Sequence, residues 1–326
     1  MSNQGHETDS AKRPTGPPAV IEAVGLHKSF GDKMAVRDLS FTVGAGRVVG
    51  LLGPNGAGKT TTIKMLTTLL PIDSGVARVA GFDVSSNPRA VRTVIGLAGQ
   101  AAAVDEMLTA RENLKLFGRL YKIPKADLQA RISDLVERFR LADFADRPVS
   151  TLSGGERRRV DVVAALVADP PALFLDEPTT GLDPRSRNEM WEAIESLAAS
   201  GTAILLTTQY LEEADRLADE IVMIDEGAVV AEGTPRQIKQ QLKRDVLEIH
   251  FETDHDLAKA LTIVGDIRMT STLETREIHI PIDEGAGPAL DTLRLLGDSG
   301  VTIADFQFRR PTLDDVFLSL TNPNAK

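Results

Sequence analysis

The chain has no cysteine. That one absence excludes disulfides, thiolate zinc sites and cysteine nucleophiles. No apolar run approaches the ~18 residues that a membrane-crossing helix needs. The first residues, MSNQGHETDSAKRPTGPPAV, lack the apolar stretch of a secretory signal. They are polar and rich in Pro and Gly, so residues 1–18 read as a flexible tail. Positive charge is in short supply: 37 Lys and Arg stand against 47 Asp and Glu, a net charge of −10. A general nucleic-acid binder needs a basic surface, so none is expected here. Tandem repeats and coiled-coil heptads are missing too. No histidine occurs between His27 and His250.

What is present is enough for a globular protein with real cores: 326 residues, 42% hydrophobic and 26% charged. A cytosolic chain is the default. From residue 19 to 242, strand-like and helix-like segments alternate, which predicts a mainly parallel sheet flanked by helices. RVVGLLG (47–53), ALFLDEP (172–178) and TAILLTTQ (202–209) read as buried strands. Residues 105–168 contain no strand-like run and read as a helical insert. Within it, Thr109 and Glu112 form a capping box, and Leu114, Phe117, Leu120 and Tyr121 share one helical face.

The pattern changes after Lys243. VLEIHFE (246–252) alternates, with Leu247, Ile249 and Phe251 on one face. The order that follows is β-α-β-β-α-β if residues 266–272 supply a strand, a ferredoxin-like arrangement for residues 243–322. Thr312 and Asp315 would cap a last short helix. His250 and His279 fall on the polar faces of alternating strands and His255 in a loop. With neither cysteine nor a helical histidine pair, no metal site is expected there.

GPNGAGKT (53–60) matches G-x-x-x-x-G-K-[ST], after a buried strand and before a helix. Gly53, Gly56 and Gly58 let backbone N–H groups close around phosphate oxygens, and the helix start adds positive potential. Gly53, Pro54, Asn55, Gly56, Ala57, Gly58, Lys59, Thr60 and Thr61 are therefore the expected nucleotide cradle. Lys59 would reach the β- and γ-phosphates of ATP, and the Thr60 hydroxyl would ligate Mg²⁺. Asp176 and Glu177 end a buried strand, where α/β sheets bind ligands. Asp176 suits the metal shell, and Glu177 can take a proton from attacking water.

LSGGE (152–156) precedes the helical run RRRVDVVAALVAD. Ser153 and Glu156 make a capping box, yet Gly154 and Gly155 would each cost up to ~1 kcal/mol against alanine at a helix start. An anion approaching the bare backbone gives that cost a use. A second phosphate site without its own cradle points to a partner chain's nucleotide. The run Arg157–Arg159 reads as a solvated or phosphate-facing helix face.

Together the cradle, LSGGE, the LFLDEP strand end, GLDP (181–184) and Gln100 in GLAGQ resemble the ATP-binding subunit of an ABC transporter over residues 20–242. AGQAAAVDEMLTARENL, TTQYLEEAD and RRPTLDDVFLSLT are similar to the daunorubicin-resistance type of drug exporter. The resemblance implies a P-loop ABC ATPase domain with a helical insert, followed by the small α+β ferredoxin-like domain. It implies a homodimer in which Ser153, Gly154 and Gly155 touch the γ-phosphate held by the opposite cradle. It makes Phe30 the adenine stack, Gln100 a Mg²⁺ sensor and Asp183 a dimer-interface residue. It also implies an integral membrane permease on a separate chain, contacted by the helical insert, and a peripheral place on the cytoplasmic face of the membrane.

Most of that family carries a histidine where Gln209 stands; the drug-export group shows a glutamine. Its amide can donate to a γ-phosphate oxygen and accept from water, but it cannot titrate near neutral pH. Gln209 is thus expected to position, leaving Glu177 as the base. Two other functions remain open at this point: an ATP-gated scaffold that does not hydrolyse, and an ABC-type ATPase unconnected with transport. For the C-terminal domain, dimer support or partner docking is favoured over small-molecule sensing.

Overall fold

The computed structural model describes residues 19–241, 245–264, 270–272, 275–282, 286–309 and 311–321. The expected tail, the junction at 242–243 and residues 266–269 of the expected strand lie outside these. The chain forms two compact units. One holds the chain up to Lys28 with Asp38–Val48 and Thr62–Leu205; the other holds Ser29–Arg37, Val49–Thr61 and Leu206–Lys326.

The strand Ala19–Phe30, in the first unit up to Lys28, pairs antiparallel with Ser74–Val79, placing Ile21 opposite Val79 and Ala23 opposite Ala77. Ile95–Ala98 and Ala172–Asp176 run parallel, with Leu97 beside Phe174. The second of these strands is buried along its whole length. That explains its unbroken apolar sequence, since a parallel strand is covered on both faces.

The stretch expected to be helical carries Ala110–Leu120, Lys125–Arg138 and Gly154–Ala165. The Thr109 capping box forms: Glu112 N–H donates to the Thr109 hydroxyl at 3.1 Å, and Thr109 N–H donates to the Glu112 carboxylate at 2.9 Å. The buried stripe differs from the expected one. It runs through Ala110, Asn113, Leu114 and Gly118, while Leu120 is 67% exposed. The reason is polar: Asn113 is wholly buried, its amide tied to the carbonyls of Asp105 and Thr109 and accepting from Asp105 N–H. That network rolls the helix away from a purely apolar seam.

In the second unit, Val48–Leu52 runs parallel to Glu220–Asp225, which turns back antiparallel into Ala228–Gly233. The later strands are Asp245–Phe251, Thr270–Thr272, Glu277–Ile282 and Ile303–Arg309. Numbered by sequence within this sheet they lie in the order second, third, first, fourth, with every neighbour antiparallel. With helices Asp254–Val264 and Ala286–Asp298 this is the expected ferredoxin-like arrangement. Leu247, Ile249 and Phe251 point into its core with Leu257, Ala260, Ile278, Ile280 and Leu296.

The last helix, Leu313–Thr321, starts at the expected cap: Thr312 N–H donates to the Asp315 carboxylate at 2.8 Å. It does not join that core. Leu313 and Val316 pack instead with Leu52, Ala214, Ala218, Ile221 and Ile238. No helix among the described residues is long and apolar enough to cross a membrane.

Candidate nucleotide-binding and catalytic residues

The cradle sits in the second unit, between Val48–Leu52 and the helix Lys59–Leu66. Its glycines answer to backbone crowding. A Cβ on Gly53 would lie 2.2 Å from the Ile224 carbonyl oxygen. Gly58 has φ +107°, and its Cβ would lie 2.4 Å from the Ala35 carbonyl oxygen. On Gly56 a Cβ would meet nothing within 4 Å, so that side of the loop is open. The loop is braced from within: Ala57 N–H donates to Pro54 O at 3.2 Å, and Gly227 N–H to Ala57 O at 3.1 Å. Lys59 is buried, its ammonium donating to the carbonyls of Gly53 at 2.6 Å and Pro54 at 3.0 Å. The helix has no acidic residue in its first turn. The positive potential of the helix start is therefore not offset by an acid of its own first turn, which suits phosphate.

Phe30 and Gln209 belong to the same unit. Phe30 is 49% exposed, so it is a surface ring rather than a core one. Gln209 is half-buried directly after the strand Ala203–Thr208. The turn beyond it is held by Tyr210 N–H donating to the Thr208 hydroxyl at 2.9 Å.

Gln100, the Ser153–Gly155 run, Asp176, Glu177 and Asp183 belong to the first unit. Asp176 is buried and Gln100 exposed. Glu177 adopts φ +50°, a left-handed conformation that a non-glycine residue holds only under strain, as functional turns often do. The Thr180 hydroxyl lies 3.2 Å from its carboxylate. Gln100 and Asp176 offer an amide oxygen and a carboxylate, and Thr60, in the second unit, a hydroxyl. Each is an oxygen donor of the kind Mg²⁺ takes.

At LSGGE the capping box forms, with Glu156 N–H donating to Ser153 Oγ at 3.2 Å and Ser153 N–H to Glu156 at 2.8 Å. The Ser153 contacts hold the Glu156 carboxyl below its usual range. The two glycines then part company. A Cβ on Gly154 would meet nothing within 4 Å, whereas one on Gly155 would lie 2.5 Å from Ser186 Oγ. Ser186 is itself fixed by Asp183, whose carboxylate accepts from Ser186 N–H at 3.0 Å and from its hydroxyl at 2.8 Å. Asp183 thus caps the helix Pro184–Ala199. Gly154 faces open space; Gly155 has a packing reason of its own.

The arginine run is not a solvated face. Arg157 pairs with Glu106 at 2.7 Å, and Arg159 with Glu189. Arg158 is the residue that spacing could not find. Its guanidinium donates to the carbonyls of Gly99, Asp176 (2.9 Å) and Pro178 (3.1 Å), and pairs with Asp161 at 3.2 Å. One side chain from the LSGGE helix therefore ties the turn before Gln100 to the turn that presents Glu177. Burial pushes the Asp161 carboxyl up, against the pull of the Ala103 N–H and of Arg158.

The chain is similar to known proteins along most of its length. The ABC transporter family model matches residues 36–180, and that of the ATP-binding protein DrrA1-3-like C-terminal domain matches residues 233–321. Daunorubicin resistance ATP-binding protein DrrA2 of Streptomyces coeruleorubidus is 46% identical over 92% of this chain and 94% of its own. Nod factor export ATP-binding protein I of Sinorhizobium fredii is 41% identical over 94% of this chain and 87% of its own. A solved ATP-binding subunit of an ABC transporter, at 31% identity, superposes with TM-score 0.62 over 68% of this chain and 92% of that one. The chain belongs to the ATP-binding subunits of ABC transporters, in the daunorubicin/doxorubicin-resistance group, and its N-terminal part is an ABC ATPase domain.

Proposed function

We propose that this chain is the ATP-hydrolysing motor of an exporter whose membrane permease is a separate polypeptide, with a drug, antibiotic or lipid-like compound as cargo. Relatives named for daunorubicin resistance and for Nod factor export support an export role. The observation that carries the reading is the cradle, crowded at Gly53 and Gly58 and open at Gly56.

In this reading Gly53–Thr61 bind the phosphates through backbone N–H groups and Lys59, and Phe30 stacks on adenine. Thr60, Gln100 and Asp176 hold Mg²⁺, which would supply charge neutralisation at the phosphates. Glu177 accepts the proton of the attacking water. Gln209 donates to a γ-phosphate oxygen and orients that water. Ser153 and the open backbone at Gly154 serve the nucleotide of a second copy, so the working form is a homodimer at the cytoplasmic face of the membrane.

The test is Mg²⁺-dependent ATP turnover by the purified chain, with Glu177→Gln as the blank. Turnover above the blank that rises with the square of protein concentration supports a dimeric motor. Turnover at blank level, both alone and with the co-expressed permease, while ATP still binds, overturns hydrolysis in favour of an ATP-gated scaffold.

A further inference from the structure

The C-terminal domain carries the tripeptide Glu-Ile-His twice, at 248–250 and 277–279. The two copies lie on adjacent antiparallel strands in a register that sets Glu248 opposite His279 and His250 opposite Glu277. The isoleucines between them, Ile249 and Ile278, are fully buried in the core. Side chains alternate along a strand. All four polar groups therefore stand together on the other face of the sheet.

The four groups lie close together, and an ion among them would take only one of the two His250 nitrogens. His250 Nε2 lies 3.3 Å from Glu248 Oε1, and His250 Nδ1 lies 3.1 Å from Glu277 Oε1. His279 Nε2 lies 3.7 Å from Glu277 Oε2 and 3.8 Å from Glu248 Oε2. Glu248, His250 and Glu277 each place one ligand atom within 4.8 Å of the others. Ligands around a tetrahedral Zn²⁺ at 2.0–2.1 Å sit about 3.3 Å apart. His279 Nε2 adds an independent sign. It is a buried nitrogen with no hydrogen-bond partner among the described residues. It sits too far from either carboxylate for a hydrogen bond, yet within reach of an ion that both would share. Such an orphaned buried atom needs an explanation.

We propose that Glu248, His250, Glu277 and His279 bind a zinc-like divalent cation. Two imidazoles with carboxylates favour zinc and its neighbours over Mg²⁺ or Ca²⁺. Arg309 is the outer support: it holds Glu248 Oε2 at 2.8 Å and grips Asp315 at 2.6 Å on the far side. Fixing a ligating carboxylate by a second partner is how metal sites are commonly tuned. Asp315 lies on the last helix, so the bound ion would stiffen the attachment of that helix to the sheet.

The experiment uses the full chain, stripped with a chelator and free of nucleotide, titrated with ZnCl₂ by calorimetry. One Zn²⁺ per chain is expected, with a rise in melting temperature that millimolar Mg²⁺ does not reproduce. Thr60→Ala should leave this binding intact, separating it from the nucleotide-linked cation. His250→Gln with His279→Gln should weaken it by at least about 100-fold, more than the ~10–100-fold that loss of an outer partner costs. Co²⁺ bound to the wild-type chain should absorb as a tetrahedral ion, a readout that stands even if the double variant does not fold. An absence of Zn²⁺ binding, binding lost with Thr60→Ala, unchanged affinity in the double variant, or an octahedral Co²⁺ spectrum would each overturn the site and leave the quartet as a histidine–carboxylate ion-pair cluster.

Discussion

Arg158 donates to the main-chain carbonyl of Asp176 at 2.9 Å, from a helix that begins at the LSGGE glycines. The same guanidinium holds the Gly99 carbonyl, one residue before Gln100. Arg158→Ala is therefore expected to lower ATP turnover by roughly 100-fold, the scale of a 1 Å misplacement of reacting groups. It also leaves the buried Asp161 carboxylate with the Ala103 N–H but without its ion-pair partner, which should lower stability. Nucleotide affinity should change little, since the carbonyls Arg158 holds belong to the turns at Gly99 and Asp176–Pro178. Single-turnover kinetics beside equilibrium ATP binding, with a melting curve, check all three. Equal losses in binding and turnover would count against a positioning role.

The two signature glycines should fail differently. Gly154→Ala meets open space, so its melting curve should stay within about 1 kcal/mol of wild type, the helix-propensity scale. Its turnover should fall nonetheless, because a methyl group would stand where phosphate approaches. Gly155→Ala collides with Ser186 and should cost about 1–3 kcal/mol through overpacking. Adding Ser186→Gly should recover part of that stability. Denaturant melts of the three variants decide it.

Gln209 bears on pH. A glutamine side chain cannot titrate, so wild-type kcat should show no histidine-like step between pH 6 and 8. Gln209→His should introduce one near pH 6.5. Gln209→Ala should lower kcat by roughly 100-fold, the usual loss for one transition-state donor. A pH–rate profile in which wild type already steps near 6.5 would argue for a different residue at the phosphate.

Asp315 predicts an acid limit. Burial works to raise its carboxyl, but Arg309 and the Thr312 bonds prevail and hold it below the usual aspartate range. The sign follows from proton linkage. The unfolded chain binds the proton more readily than the folded one. The carboxylate's contribution is therefore present above the ordinary value of 3.8 and is lost as pH falls through the lower folded value. Melting temperatures of wild type and Asp315→Asn should differ constantly above pH 5 and converge as pH drops below 4.

Much of this was legible from spacing alone. The cradle, the capping boxes at Thr109 and Ser153 and the alternation of VLEIHFE are local patterns, and local patterns survive folding. Arg158 was not legible, because a long side chain finds carbonyls 18 and 59 residues away only once the chain has folded. The paired Glu-Ile-His tripeptides stood in plain view, yet their meaning lay in a strand register that no single strand reveals. Leu120 read as buried because a helical stripe assumes an apolar seam, and Asn113 breaks that assumption. The cap of the last helix was readable; its destination was not.

That destination joins distant parts of the chain. Leu313 and Val316 complete the apolar cluster around Leu52, the residue that leads into Gly53, and Ala214, in the helix after Gln209. The ribosome makes Leu52 long before Val316. A nascent chain stalled before residue 313 carries Leu52, Ala214 and Ile238 and still lacks two of the side chains they pack with. The apolar cluster around Leu52 is therefore complete only once the helix Leu313–Thr321 has left the ribosome.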